Sequence, residues 1–294
     1  MLKLTVSQDG CGDFASISEA VLAVPYELEA EICIGPGIYR EKLVCEKRAL
    51  TLRGAGADAT TLIFGDGGKL PHPDGRPTHT FRSYTAFFRG IELRVRDLTI
   101  ENDAGPGAKV GQAVAAYVDC SHTLFENVRL LGNQDTLFCA PLPEKEREKD
   151  GFLGPGRFAP RRPTAQYYRH CESAGDIDFI FGGADALFEQ CTIRTVNNHL
   201  PASYVTAPSG RAVGRRPGGR GDAGQALAAH RQDCRAGLPP WRTHRAGGLF
   251  RMAEPHRLEP CQLCRSGQHR RRRCAARCMG EAAGQPAGRR AAQM

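Results

Sequence analysis

The run Leu124-Phe125-Glu126-Asn127-Val128 alternates apolar and polar side chains and reaches an Asn near its end. Alternation with a period of two is typical of a β-strand that turns one face to a core. Similar runs recur through the first two thirds of the chain, at 30–34, 49–53, 93–96, 98–100, 166–171 and 187–193. No long helical pattern separates them, which argues against a doubly wound α/β sheet.

The runs can be aligned with one another. Their equivalent apolar positions are Leu98, Val128, Cys171 and Cys191, which are separated by 30, 43 and 20 residues. One coil of a parallel β-helix takes roughly 20–30 residues, so the interval of 43 holds a coil plus an insertion. The insertion is the Pro- and charge-rich stretch from Pro141 to about Pro163, and Gly65 to Pro77 forms a second loop. The sequence therefore predicts an all-β solenoid, a parallel β-helix.

Two other features refine this prediction. A β-sandwich is disfavoured because Asp-Gly turns are few and none lies tightly between two strong strands. Ahead of the repeats, residues 13–22 show a helical pattern in which Ser16 is the expected N-cap and Glu19 follows three residues later. We expect one short N-terminal helix before the first coils.

Two aspartates occupy matching positions in the repeat. Asp135 lies seven residues after Val128, and Asp178 lies seven residues after Cys171. In stacked coils they would lie on neighbouring strands, which are about 4.7–4.9 Å apart. When two carboxylates lie so near each other, their repulsion raises the pKa of one of them. The result is a protonated acid beside an ionised nucleophile or base. A single Asp in a turn is usually structural, but two at matching positions favour catalysis.

Amide side chains accompany the acids. Gln134 precedes Asp135, and Gln112 belongs to the preceding coil. A side-chain N–H that points at a reacting carbonyl can stabilise an oxyanion. The paired acids and amides predict hydrolysis, and the amides suit an ester better than a glycoside.

Sequence blocks around these residues resemble a known family. Residues 132–138 (Gly-Asn-Gln-Asp-Thr-Leu-Phe) and 175–182 (Gly-Asp-Ile-Asp-Phe-Ile-Phe-Gly) resemble the two signature blocks of pectinesterases, or pectin methylesterases. Residues 111–115 resemble a third block, and 204–207 (Tyr-Val-Thr-Ala) resemble a later strand. The resemblance extends over about residues 5–209 and implies a right-handed parallel β-helix.

The resemblance also implies an activity and residue roles. An aspartyl esterase would hydrolyse methyl esters of galacturonan in pectin, with Asp178 as nucleophile and Asp135 as acid and then base. Gln112 and Gln134 would donate to the oxyanion. Phe179 is expected to line the floor of the cleft. No metal or organic cofactor is implied, and we expect a monomer whose partner is pectin or a methylated oligogalacturonide.

The chain departs from the family after residue 209. The family has a Leu-Gly-Arg-Pro-Trp block whose Arg binds the nucleophile and whose Trp lines the cleft. Here Trp241 matches the Trp, but Pro239 stands at the Arg position. Loss of that bidentate donor would loosen the nucleophile and lower activity.

Composition changes at the same point. Residues 1–209 carry 22 Lys+Arg and 27 Asp+Glu, whereas 210–294 carry 18 Arg, no Lys and only 5 acids, so the net charge of +8 comes from the tail. The tail also lacks Ile, Tyr and Asn. We therefore expect residues 1–209 to form an incomplete catalytic β-helix. Residues 210–294 are interpreted as a disordered or out-of-frame tail.

The tail also carries an Arg run and two Cys pairs. Arg270-Arg271-Arg272-Arg273 could form a basic arm, but without interleaved aromatics or a motif no nucleic-acid partner is expected. Cys261-x-x-Cys264 and Cys274-x-x-x-Cys278 show zinc-like spacing among residues too polar to enclose a metal. The seven cysteines within residues 1–209 are expected to be buried free thiols.

Two further functions remain as alternatives. The chain could be a non-catalytic, polysaccharide-binding β-helix that lacks the last coils and the Arg. A β-helix lyase or glycosidase is the weaker alternative. No apolar run is long enough for a membrane span or a secretory signal, whereas pectinesterases are generally exported, so the sequence leaves the compartment open.

Overall fold

Short strands stacked coil upon coil dominate the structure, a computed structural model that describes residues 1–198, 202–209, 243–246 and 250–251. All of these lie in one compact unit, Met1–Glu254. The strands are β1 (Leu2–Val6), β2 (Glu29–Ile34), β3 (Gly37–Arg40), β4 (Leu43–Glu46), β5 (Ala49–Arg53), β6 (Thr60–Phe64), β7 (Ala86–Arg96), β8 (Thr99–Asn102), β9 (Ala116–Glu126), β10 (Arg129–Leu131), β11 (Leu137–Cys139), β12 (Ala165–Arg169), β13 (Glu172–Gly175), β14 (Ile177–Gly182), β15 (Asp185–Glu189), β16 (Cys191–Thr195), β17 (Tyr204–Pro208), β18 (Thr243–Ala246) and β19 (Phe250–Arg251). The helical elements are α1 (Ile17–Ala23), α2 (Gly107–Val110) and a 3-10 turn, Thr80–Arg82.

The strands form three parallel stacks. The first contains β4, the first halves of β7 and β9, β11, β14 and β17. The second contains β1, β2, β5, the second halves of β7 and β9, β12 and β15. The third contains β3, β6, β8, β10, β13 and β16. This arrangement is the predicted right-handed parallel β-helix.

Two strands pair differently. β18 and β19 run antiparallel to β16 and β15. They are the described part of the 210–294 tail, and the predicted disorder or frame change of the rest lies outside the described residues. No helix in the described part of the chain is long and apolar enough to cross a membrane.

One corner of the coil repeats with the same backbone conformation. In the second stack, the last residues of β7, β9, β12 and β15 are each followed by a residue with φ between 53° and 55°: Asp97, Asn127, His170 and Gln190. Their preceding residues pair in register across the stack, from Arg96 through Glu126 and Arg169 to Glu189. The anchors that follow, Leu98, Val128, Cys171 and Cys191, are all buried. The alignment made on sequence is therefore confirmed.

The interior of the coils is a continuous apolar core. Val95, Phe125, Tyr168 and Phe188 stack through it on the second stack, and five of the seven early cysteines are buried. Cys11 is exposed, so burial of the thiols is confirmed only in part.

The N-terminal helix forms as predicted. The Ser16 side chain accepts a hydrogen bond from the backbone N–H of Glu19 at 3.1 Å. The Glu41 carboxylate accepts two more, from Ile17 and Ser18, at 2.9 and 2.8 Å. These bonds satisfy the free N–H groups of the first turn, which an isolated helix leaves to water.

The outer face of the first stack is apolar. Phe87, Tyr117, Phe138 and Phe181 pair in register along it, and rings from two loops cover them. The insertion between β11 and β12 holds no strand, as predicted. It is not simply exposed, because its Phe152 is 7% exposed and packs against Phe81.

Candidate active site

Asp135 and Asp178 lie side by side on neighbouring coils. Leu137 pairs with Ile180, which places Asp135 opposite Asp178, and the N–H of Asp135 donates to the Ile177 carbonyl at 3.0 Å. Both aspartates have a left-handed backbone, with φ of 64° and 48°. Such values are uncommon outside Gly and persist where the surrounding structure enforces them. Equivalent turns thus present two carboxyl groups together.

The two carboxyl groups have different surroundings. Asp135 is 9% exposed, and burial raises its pKa well above the ordinary value, with further increases from the charges of Asp178 and Asp176. A hydrogen bond from the Gln134 side chain acts in the opposite direction. Burial also raises the pKa of Asp178, while the positive charge of Arg147 in the insertion lowers it. The site therefore favours a proton on Asp135 and a carboxylate on Asp178.

The two glutamines lie at the same corner on adjacent coils. The Ala113 N–H donates to the Gln134 carbonyl at 3.0 Å, which fixes the coil of Gln112 against that of Gln134. The Gln112 carbonyl accepts from the Gly68 N–H at 2.7 Å. Both glutamines are partly exposed. Four of the predicted site residues are thus brought into one region.

The arrangement can be compared with known proteins. The family model "Pectinesterase" matches residues 3–142 and 161–219, which leaves out most of the insertion and runs ten residues past the predicted end. The chain belongs to the pectinesterase family. Pectinesterase 31 from Arabidopsis thaliana is 32% identical over 212 residues, 69% of this chain and 58% of the relative. The Prunus persica pectinesterase/pectinesterase inhibitor PPE8B is 34% identical over 192 residues, 64% of this chain and 31% of its own.

Solved structures agree with the fold. A pectin methylesterase from carrot superposes with a TM-score of 0.58 at 28% identity, over 72% of this chain and 59% of that one. A pectin methylesterase in complex with a hexasaccharide gives 0.59 at 26% identity, over 72% and 62%. This pectinesterase-family chain therefore spans less than two thirds of the length of these relatives.

The prediction for Phe179 is wrong. Its side chain is 0% exposed and belongs to the interior core, so it presents no surface to a sugar. Gly175 makes room for it, since a Cβ there would lie 2.2 Å from the Phe179 Cβ. Phe181, two residues later, is the ring of this block on the outer face of the first stack. Trp241 and Pro239 lie outside the described residues.

Three residues near the pair were not singled out on sequence. The charge of Arg147 lowers the pKa of Asp178, Asp176 lies two residues before Asp178, and Phe181 extends the outer aromatic row. Arg147 gave no signal because the insertion reads as a polar loop. Within the described residues, no group of three or more His, Cys, Asp or Glu side chains could hold a metal ion.

Proposed function

We propose that this chain hydrolyses methyl esters of galacturonan and releases methanol. The observation that supports the proposal is the stacked pair, Asp135 and Asp178, on equivalent left-handed turns of a pectinesterase fold. One carboxyl group is buried and retains its proton, and the other is more exposed and faces a cation. That division of roles is what acyl transfer requires of an acid and a nucleophile.

The first half-reaction forms an acyl-enzyme. A carboxylate oxygen of Asp178 attacks the ester carbonyl carbon, and the carbonyl π electrons move onto its oxygen. The amide N–H groups of Gln112 and Gln134 donate to that oxyanion, a contribution worth about 2.7–4 kcal/mol per donor in a comparable site. Asp135 then gives its proton to the departing methoxy group, and methanol leaves.

The second half-reaction restores the enzyme. Asp135, now a carboxylate, takes a proton from water as the water oxygen attacks the acyl carbon of the substrate. The bond to Asp178 breaks, its electrons return to the Asp178 carboxylate, and the free galacturonate carboxyl leaves. Asp135 keeps the water proton, so both acids regain their starting states.

The substrate proposed is pectin or a methylated oligogalacturonide, and the active form proposed is a monomer. A structural relative has been solved with a bound hexasaccharide, which supports a site that takes several sugars of a chain. The aromatic row of Phe87, Tyr117, Phe138 and Phe181 lies on the outer face of the first stack, which also carries Asp178 in β14. No metal or organic cofactor takes part in this scheme.

A non-catalytic, polysaccharide-binding β-helix is the second candidate. It is favoured by one observation, that Pro239 stands where the family has the Arg that orients the nucleophile. Methanol release from methylated pectin by the native chain separates the two candidates. Methanol supports the esterase, binding without methanol supports the second candidate, and new reducing or unsaturated ends would indicate cleavage of the backbone instead.

A further inference from the structure

A third carboxylate lies in the turn that carries Asp178. Asp176 is 2% exposed, and its side chain accepts hydrogen bonds from the Ile177 N–H at 2.7 Å and from the Asn198 amide. Two acceptor bonds and no donor bond are the pattern of a carboxylate. A buried acid costs free energy unless it is so bonded, and the esterase scheme above does not use it.

Asp176 also joins the two acid-bearing coils. Its backbone N–H donates to the Asn133 carbonyl at 3.1 Å, and its own carbonyl accepts from the Tyr204 N–H at 3.0 Å. The Asn198 amide donates to the Asn133 side chain at 2.8 Å as well as to Asp176. The Asn198 amide, which follows β16, therefore bridges the turn before Asp135 and the turn before Asp178.

Three neighbouring side chains shift the pKa of Asp135. The charges of Asp178 and Asp176, on the neighbouring coil, raise this pKa. A hydrogen bond from Gln134, on the same coil as Asp135, lowers it. Arg147, from the insertion, acts on Asp178. Asp176 thus accepts hydrogen bonds only, and its negative charge raises the pKa of Asp135 from the neighbouring coil.

We infer that Asp176, clamped by Asn198, is a positioning residue that aligns the two acid-bearing turns and keeps the proton of the general acid on Asp135. The inference rests on the proposed esterase function. Asp176 is the second residue of the block 175–182, which also contains the proposed nucleophile, Asp178.

The test compares Asp176→Asn with the native full-length chain. The amide keeps the shape but removes the charge, so Asp135 loses its proton at lower pH. The high-pH limb of methanol release should move toward lower pH, kcat at about pH 8 should fall roughly threefold to tenfold, and KM should stay within about twofold. Asp97→Asn removes one negative charge from a distant corner that accepts Asn, and should leave the profile unchanged.

A second measurement keeps the inference separate from the activity. The carboxyl carbon of Asp135, followed by ¹³C NMR in both proteins, should titrate at lower pH in Asp176→Asn. If the native chain releases no methanol, the esterase proposal fails and this titration alone decides the inference. An unchanged titration, or an equal change in Asp97→Asn, would overturn it.

A variant of the clamp covers the case in which Asp176→Asn does not fold. Asn198→Ala removes the bridging amide and leaves the buried acids in place. It should lower kcat roughly threefold to tenfold with KM within about twofold. Unchanged kcat in Asn198→Ala would contradict the clamp.

Discussion

Asp135, the proposed general acid, links its protonation to the stability of the fold. Burial and two neighbouring acids raise its folded pKa above the unfolded value, so the folded state binds this proton more tightly. Its stabilising contribution is complete below the unfolded pKa and is lost as the pH rises through the folded pKa. Asp135→Asn carries no charge, and its free energy of unfolding relative to wild type should therefore increase as the pH rises from about 4 to about 9.

Urea unfolding of both proteins across that range measures the difference. A native-like circular dichroism spectrum of the variant is the control for its fold. A difference that does not change with pH, or that decreases, would contradict the assignment of the buried proton to Asp135.

The Gln134 amide is placed by the close approach of a glycine. A Cβ at Gly107 would lie 2.3 Å from the Gln134 Oε1, so Gly107→Ala should displace the amide. Because one lost oxyanion donor costs about 10²–10³ in rate, we expect kcat for methanol release to fall about tenfold to a hundredfold. The neighbouring exposed residue of α2 supplies the control, Ala108→Ser, which should leave kcat unchanged. Equal rates for the two variants would exclude this role of Gly107.

At the scale of the element, the repeated corner is the feature that the sequence predicted well. Its anchors are apolar and recur once per coil, and the polar residue before each anchor accepts a left-handed backbone. At Asn127 the side-chain amide also donates to the Asp97 carboxylate at 3.0 Å, linking adjacent coils.

Substitutions at Asn127 separate the two contributions. Asn127→Ala should lower the free energy of unfolding by about 1–3 kcal/mol, since Ala loses the hydrogen bond and tolerates the left-handed backbone less well than Asn. Asn127→Gly loses the bond but relieves the backbone, so it should cost less than Ala. Chemical denaturation measures both, and a larger loss for Gly would show that the left-handed backbone is not the source of the cost.

Alternation of apolar and polar residues does not predict which side chains face the core on the first stack. There the insertion covers the outer face, so β11 is buried on both sides and its sequence, Leu137-Phe138-Cys139, does not alternate. In β14 the register shifts between Ile177 and Ile180, at the left-handed Asp178. That shift puts Phe179 inside and Phe181 outside, which neither strand alternation nor the motif itself reveals.

At the scale of the molecule, the stacking of Asp135 on Asp178 could be predicted because it depends only on repeat spacing. The cation that lowers the pKa of Asp178 could not, since Arg147 belongs to a non-repeating insertion. The acidic first 209 residues and the Arg-rich remainder belong to different compositional classes.

The reading-frame hypothesis concerns this remainder. We expect resequencing of the gene and translation of its other frames, from about codon 210, to reveal a strand-rich segment that contains Leu-Gly-Arg-Pro-Trp. That segment would restore the Arg that orients the nucleophile. If neither alternative frame encodes such a segment, the hypothesis is wrong and the Arg-rich tail is the true sequence.

The nucleophile is the central claim, and methanol release from highly methylated pectin tests it most directly. The assay takes three full-length proteins: native, Asp178→Ala, and Glu27→Ala, which alters an exposed acid remote from the site. We predict methanol from the native chain and from Glu27→Ala, and a loss of at least about 10³-fold in Asp178→Ala, in line with the loss of a catalytic nucleophile elsewhere. Methanol release by a folded Asp178→Ala at the native rate would contradict the account.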